Sequence, residues 1–263
     1  MVDDAPVTQA DGFEPVTVGH DTAVVRRSDR AVMAFGIGPP TGGGDRGLRM
    51  AAAVTDLASG VPGAVWLNQV HGRDLVEVGS APGPSCVGVG DGLVTRSAEV
   101  ALVVWTADCV PVLMAGRRTV AAVHAGWRGC AAGIVEAAVE HLRIGIGERP
   151  DDLEVAIGPA VGPDHYQVGA EVVEVLERRA GSTASWLHPD RRVDLSAFVR
   201  GRLESCGIAP TRIERIATCT ACDPRTASYR RDGARAGRQW SLVIRRDTLT
   251  PRRSDRTAPG GGP

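Results

Sequence analysis

Residues 100–129 read VALVVWTADCVPVLMAGRRTVAAVHAGWRG. Three apolar runs follow one another here: VALVVW, VPVLMA and TVAAVHA. They are separated by two short polar turns. None of the runs alternates apolar with polar residues, so each predicts a strand covered on both faces and placed centrally in its sheet. Upstream, AVWLNQV (64–70), DLVEV (74–78) and GLVT (92–95) are further short strands bounded by turn residues. Before them, an early strand pair is separated by the glycine-rich GIGPPTGGGDRG (36–47) from a helix-like DRGLRMAAAVTDLAS (45–59). Downstream the period changes. GCAAGIVEAAVEHLR (129–143) has helical spacing, with Ile134, Ala138 and Leu142 on one face. LEVAI (153–157) is a buried strand and VGAEVVEVLERR (168–179) a helix. DLSAFVRGRLESCG (194–207) is a helix opened by an Asp cap and closed by Gly, and RIERIAT and WSLVIRR are closing strands. Strands grouped early with helices interspersed later imply an α/β fold, a sheet covered by helices. No repeat or linker forces a domain boundary. Residues 1–12 and the tail 247–263, rich in Arg, Pro and Gly, are expected to be flexible around one domain at 13–246.

Bulk composition narrows the function. Hydrophobic residues make up 43% of the 263, enough for a sizeable core, and a net charge of -1 supplies no basic field for nucleic acid or an anionic membrane. All 30 basic residues are arginine, which excludes P-loop and Schiff-base chemistry, since both need a lysine amine. The acidic, polar start does not resemble a secretory signal, and no apolar run is long enough to span a membrane. The six cysteines are therefore expected to be reduced thiols in a cytoplasmic protein.

Chemistry concentrates in NQVHG (68–72), TADC (106–109) and AVHAGWRG (122–129). Each places a metal-binding side chain, His71, Cys109 or His124, at the end of an apolar strand. Strand ends on one sheet edge converge in space. Two imidazoles and one thiolate suit zinc, and three protein ligands leave a fourth position for water or substrate. The same residues also admit Cys109 as a nucleophile with His124 as its base, acting on amide or peptidoglycan-related substrates. A non-catalytic, metal-stabilised protein is the third reading. Cys219-Thr-Ala-Cys222 has C-x-x-C spacing but neither a βαβ context nor a second pair, and is expected to serve core packing.

NQVHG, DGLVT, TADCVPVL, AVHAGWRG, IGPAVGPDHYQVGAEV and SYRRDGARAGRQWSLV, in that order between about residues 64 and 245, resemble the successive motifs of the YfiH-like, laccase-domain family. The family is also described as multicopper polyphenol oxidase, purine nucleoside phosphorylase or peptidoglycan editing factor. The resemblance implies a single-domain α/β/β/α sandwich like the catalytic domain of cytotoxic necrotizing factor toxins. It implies one catalytic zinc on His71, Cys109 and His124. It also implies phosphorolysis of adenosine, inosine and methylthioadenosine, with deamination of adenosine. Phosphate then calls for an arginine clamp, for which Arg128 and Arg230 or Arg231 are candidates. Asp91 and Asp108 are candidates to move protons or orient a ligand histidine. Multicopper chemistry does not fit six histidines, although copper could enter the site adventitiously. A homodimer is possible. AVMAFGIGPPTGGGDRGLRM (31–50) lacks the Thr-x-Arg-x-Gly-Gly-Val-Ser and Ser-Leu-Asn-Leu segments of relatives, and only Arg49 offers a match there.

Overall fold

A computed structural model of the chain describes residues 12–18, 21–38, 46–58, 61–81, 83–182 and 185–246, with no account of the side chains of 47 and 48. Residues 1–11 and 247–263 of the expected flexible ends, and 39–45 of the divergent glycine-rich segment, lie outside the described residues.

The elements in chain order begin with β1 (Glu14–Val18), β2 (Asp21–Arg27), β3 (Ala31–Ile37), α1 (Arg46–Leu57), β4 (Gly63–Asn68), β5 (Leu75–Glu77) and β6 (Ser85–Val89). The middle contains β7 (Gly92–Thr95), β8 (Val100–Thr106), β9 (Val110–Ala115), β10 (Val120–Ala125), α2 (Trp127–Ala132), α3 (Ile134–Glu140) and β11 (Glu154–Ile157). The chain closes with α4 (Ala170–Ala180), β12 (Leu187–His188), β13 (Arg192–Val193), α5 (Leu195–Ser205), β14 (Ile213–Arg215), α6 (Tyr229–Asp232) and β15 (Gln239–Arg245). The strands form not one sheet but two large ones, ordered β1-β2-β3-β15-β8-β4-β6 and β14-β11-β9-β10-β7-β5, with β12 and β13 as a small separate pair.

Two stacked sheets explain why the central strands do not alternate. In β8, Leu102 and Val104 point into a shared core with Leu113, Val120 and Ala122 of the second sheet. Their neighbours Ala101, Val103 and Trp105 pack outward on Met50, Val54 and Leu57 of α1. On the far side, Val112, Met114, Ala121 and Val123 pack against Ile134, Ala138, Leu176 and Phe198 of the helices. The result is an α/β/β/α sandwich in which β8, β9 and β10 are buried on both faces. Truncating a residue such as Leu102, fully buried between the sheets, is expected to cost about 2–5 kcal/mol.

Two local readings are corrected, and one strand is added. The early pair is a three-stranded antiparallel run, β1-β2-β3. The expected helix at 129–143 breaks at Gly133, whose φ of 88° is left-handed, and it ends in a π-helical turn His141–Ile146. Ile134, Ala138 and Leu142 still share one fully buried face. β6 carries no apolar run in its sequence SCVGV because it is an edge strand, half-buried to exposed. The Asp194 cap is present: its carboxylate accepts from the Ala197 amide at 2.8 Å, and Gly207 follows the helix at φ 91°.

Candidate metal centre

The ligating atoms of His71, Cys109 and His124 all lie within 4.8 Å of one another. They do not come from one sheet edge, as the sequence suggests, but from both sheets. His71 follows β4 of the seven-stranded sheet, His124 lies in β10 of the six-stranded sheet, and Cys109 sits in the turn by which β8 of one sheet passes into β9 of the other. The imidazole rings meet edge to face, with centroids 4.8 Å apart.

One carboxylate organises two of these side chains. Asp91, fully buried, follows Gly90 and leads into β7. Its Oδ1 receives Nδ1 of His124 at 2.7 Å and the His71 amide at 2.9 Å. Its Oδ2 accepts the amides of Gly72 at 2.6 Å and Val70 at 3.3 Å. The Asp91 carbonyl accepts the backbone amide of His124 at 2.8 Å. His71 has φ 60°, unusual for a residue with a Cβ, and the amides gathered on Asp91 hold that turn closed. Because Nδ1 of His124 faces a carboxylate, its Nε2 is left as the lone-pair donor, the usual arrangement of a metal-ligating histidine.

Electrostatics favour the ligating form of the thiol. Burial alone would raise the Cys109 pKa, but the two imidazoles beside it bring it down to about 6. Burial would lower the His124 pKa, and hydrogen bonding to Asp91 and Cys109 instead lifts it to about 9. Burial would raise the Asp91 carboxyl, yet the His124 bond and the loop amides hold it below its ordinary value. Gly126, at the start of α2, is needed for space: a Cβ there would lie 2.9 Å from Cδ2 of His71 and 3.1 Å from Sγ of Cys109.

The donor set fits a thiophilic ion. Thiolate and imidazoles with one open position match zinc. The His₂Cys set is also found in blue-copper sites, which add a weak axial thioether. Met33, Met50 and Met114 are instead buried among core residues.

The three candidate ligands sit in a cleft of about 520 Å³. Its walls carry Trp105, Trp127, Tyr166 and Tyr229, with Arg46, Arg128, Arg230 and Arg238. The Arg128 guanidinium lies 4.4 Å over the Trp127 ring, and that of Arg230 lies 5.1 Å over Tyr166. Arg231, the alternative to Arg230, is committed elsewhere: it donates to the carbonyls of Thr220, Asp223 and Thr226 at 2.7–2.9 Å. Arg49 pairs with Asp21 at 2.5 Å, and Arg46 is the arginine of α1 that lines the cleft. Asp108, at φ 84°, accepts the Thr220 hydroxyl at 2.6 Å and the Arg230 amide at 2.5 Å. Both its oxygens are thus engaged in fixing the turn before Cys109, a positioning arrangement rather than that of a free proton carrier. Trp127, Tyr166 and Tyr229 all lie inside the quoted motifs, but nothing in their spacing marks them as cleft residues; Tyr166 follows a short 3-10 turn at Pro163–His165.

A family model described as multi-copper polyphenol oxidoreductase laccase matches residues 43–246. The chain belongs to this family. A protein of Mycobacterium tuberculosis named purine nucleoside phosphorylase is 40% identical over 200 residues, 74% of this chain and 76% of its own length. The Escherichia coli protein named purine nucleoside phosphorylase YfiH is 35% identical over 185 residues, 68% of this chain and 72% of its own. The crystal structure of Bacillus licheniformis YfiH superposes with a TM-score of 0.77 at 24% identity, covering 89% of this chain and 99% of that one, a likeness of fold. YlmD of Geobacillus stearothermophilus superposes with a TM-score of 0.70 at 28% identity, covering 82% and 92%. In this family member the laccase-domain fold places one His-Cys-His cluster at the floor of an aromatic and arginine-lined cleft.

Proposed function

We propose that the chain is a zinc-dependent purine nucleoside enzyme that cleaves adenosine, inosine and methylthioadenosine by phosphorolysis and deaminates adenosine. The observation that carries this reading is the cluster of His71, Cys109 and His124 opening into a cleft that combines aromatic faces with arginines. His71, Cys109 and His124 would hold the ion, which supplies Lewis acidity and an activated oxygen nucleophile at neutral pH. Trp127, Tyr166 and Tyr229 offer ring faces for a purine. Arg128 and Arg230, both exposed on the cleft, would clamp phosphate against the ribose. Asp91 would keep His124 in one tautomer and hold the turn that carries His71, while Asp108 would anchor the Cys109 turn to the Arg230 segment. The relatives named purine nucleoside phosphorylase support the substrate class. The family's multi-copper description does not suit a chain with six histidines, two of which are in this cluster; copper is at most an adventitious occupant.

This reading places the enzyme in the cytoplasm, where its thiols stay reduced; among the described residues no helix is long and apolar enough to cross a membrane. A homodimer is compatible with it. The partners are nucleoside and phosphate rather than nucleic acid or membrane.

A second reading rests on one specific observation: Cys109, His124 and Asp91 are linked in the order of a nucleophile, a base and its orienting acid, with the thiol pKa near 6. It predicts activity that survives chelation and is lost on alkylation. Incubating the protein with inosine and adenosine, with and without phosphate and before and after chelation, separates the two, with Cys109→Ala as the inactive control. The zinc reading predicts phosphate-dependent hypoxanthine and adenine from wild type alone, lost on chelation and restored by zinc. Turnover that persists in fully stripped protein would reject it.

A further inference from the structure

We propose that Cys219, Cys222 and His165 form a second metal site, for a thiophilic divalent ion such as zinc, which ties the segment 160–166 to the turn 218–222. Core packing, the expectation for the C-x-x-C pair, does not describe what the fold does with it: Cys222 is exposed, Cys219 half-buried and His165 exposed. The three ligating atoms lie within 4.8 Å of one another, as close as those of the first cluster, and the two clusters share no residue. His165, inside the quoted IGPAVGPDHYQVGAEV stretch, stands 54 residues before Cys219, and the fold brings the two together.

The backbone builds this arrangement from both sides. Ala160 and Cys219 form an isolated parallel bridge, with the Ala160 amide on the Thr218 carbonyl at 3.3 Å and the Thr220 amide on the Ala160 carbonyl at 3.0 Å. The Cys219 carbonyl accepts the amides of Cys222 at 3.2 Å and Asp223 at 3.1 Å, closing a tight turn that returns the second sulfur toward the first. The Gly162 amide donates to Sγ of Cys219 at 3.2 Å, which fixes the first sulfur against the 160–166 segment. A small cleft of about 170 Å³ opens over these groups, enough for an ion and one small ligand. Asp164 borders it, but its carboxylate is paired with Arg192 at 2.7 Å, so the fourth position of a tetrahedral ion falls to water or another small ligand. Binding is balanced by release of the two thiol protons to solvent, with the imidazole entering as the neutral base.

The position gives the site a role. Thr220, next to Cys219, holds Asp108, which precedes Cys109, and His165 precedes Tyr166 of the cleft wall. An ion here would brace two segments that frame the nucleoside cleft without touching the reacting groups.

The test uses the full chain carrying Cys109→Ala, which removes the first site, so that the outcome is independent of the function proposed above. Stripped and reduced protein is titrated with cobalt(II). The expected result is about one equivalent bound per chain, with thiolate-to-cobalt charge-transfer absorption and a raised melting temperature. Both signals are lost on adding Cys222→Ser, and His165→Ala weakens binding while keeping the sulfur absorption. A folded Cys109→Ala protein with no thiolate absorption, or absorption indifferent to Cys222→Ser, would overturn the proposal; a Cys219–Cys222 disulfide re-forming under the reducing conditions would do the same. Should Cys109→Ala not fold, wild type and Cys222→Ser are compared instead, and equal cobalt content in the two would be decisive against the site.

Discussion

Replacing Asp91 by asparagine keeps the shape of the side chain and removes its charge, with consequences set by its contacts. Four donors converge on the carboxylate: Nδ1 of His124 and the His71 amide on Oδ1, and the amides of Gly72 and Val70 on Oδ2. An amide must place its NH₂ against one of these pairs: facing His124 it strands the His71 amide while the imidazole changes tautomer, and facing the other way it strands the amides of Gly72 and Val70. With Val70 open to solvent, either orientation leaves one shielded amide without an acceptor, and at about 1–3 kcal/mol for such a group the metal-free protein should lose about 1–3 kcal/mol. Facing His124, the NH₂ would also favour the tautomer protonated on Nε2, the nitrogen needed for ligation. A lost partner of this kind weakens metal binding by about 10–100-fold. Zinc affinity is measured by competition with a chromophoric chelator, and metal-free stability by urea unfolding. Asp91→Asn protein that binds zinc as tightly as wild type and unfolds at the same urea concentration would refute the claim that this carboxylate builds the site.

Gly126→Ala places a methyl group 2.9 Å from His71 and 3.1 Å from the Cys109 sulfur; an overpacking cost of about 1–3 kcal/mol should appear as weakened zinc binding in a competition titration. In metal-free protein, Cys109 is expected to alkylate with a rate that rises through pH of about 6, whereas an ordinary thiol reaches that rate near its unshifted 9.0; iodoacetamide kinetics with mass-spectrometric site assignment measure this. The Cys109 contribution to stability is present above pH 9.0 and lost as pH falls through about 6, while the His124 contribution is present below 6.5 and lost as pH rises through about 9. Between 6.5 and 9 one group binds a proton fewer and the other a proton more than in the unfolded chain, so urea midpoints of metal-free wild type should show no net slope from this pair. Arg230→Ala should raise KM for phosphate about 10-fold or more, with little effect on stability, as expected for a lost charge-assisted contact. Arg231→Ala, which removes donors from three backbone carbonyls, should lower Tm while leaving KM for phosphate unchanged.

Much of this architecture is legible in the chain. The apolar runs of β8, β9 and β10 announce central strands, and His71, Cys109 and His124 mark strand ends. Sequence cannot say that those strands belong to two sheets, because a run such as VALVVW is equally buried between two sheets or between a sheet and helices. The partition rests on pairings between residues far apart, such as β15 inserted between β3 and β8. The same distance in sequence hides the wall of the cleft: Tyr166, Arg46 and Arg238 come from three separate segments. Arg230 and Arg231 are indistinguishable as letters, and only a helix of four residues capped by Ser228 turns one to the cleft and the other to backbone carbonyls. Asp108 and Asp91 divide similarly. Each lies in a turn, but one gathers the His71 loop and His124, and the other ties Thr220 to Arg230: Asp91 does the first and Asp108 the second.

Zinc titration of stripped wild-type protein, monitoring phosphate-dependent release of hypoxanthine from inosine, tests the central claim most directly. Activity is expected to rise in step with occupancy of the His71, Cys109 and His124 site, and Cys109→Ala to stay inactive at every zinc concentration. Full turnover in the absence of metal, or an active Cys109→Ala enzyme, would contradict the assignment of these residues to a catalytic zinc.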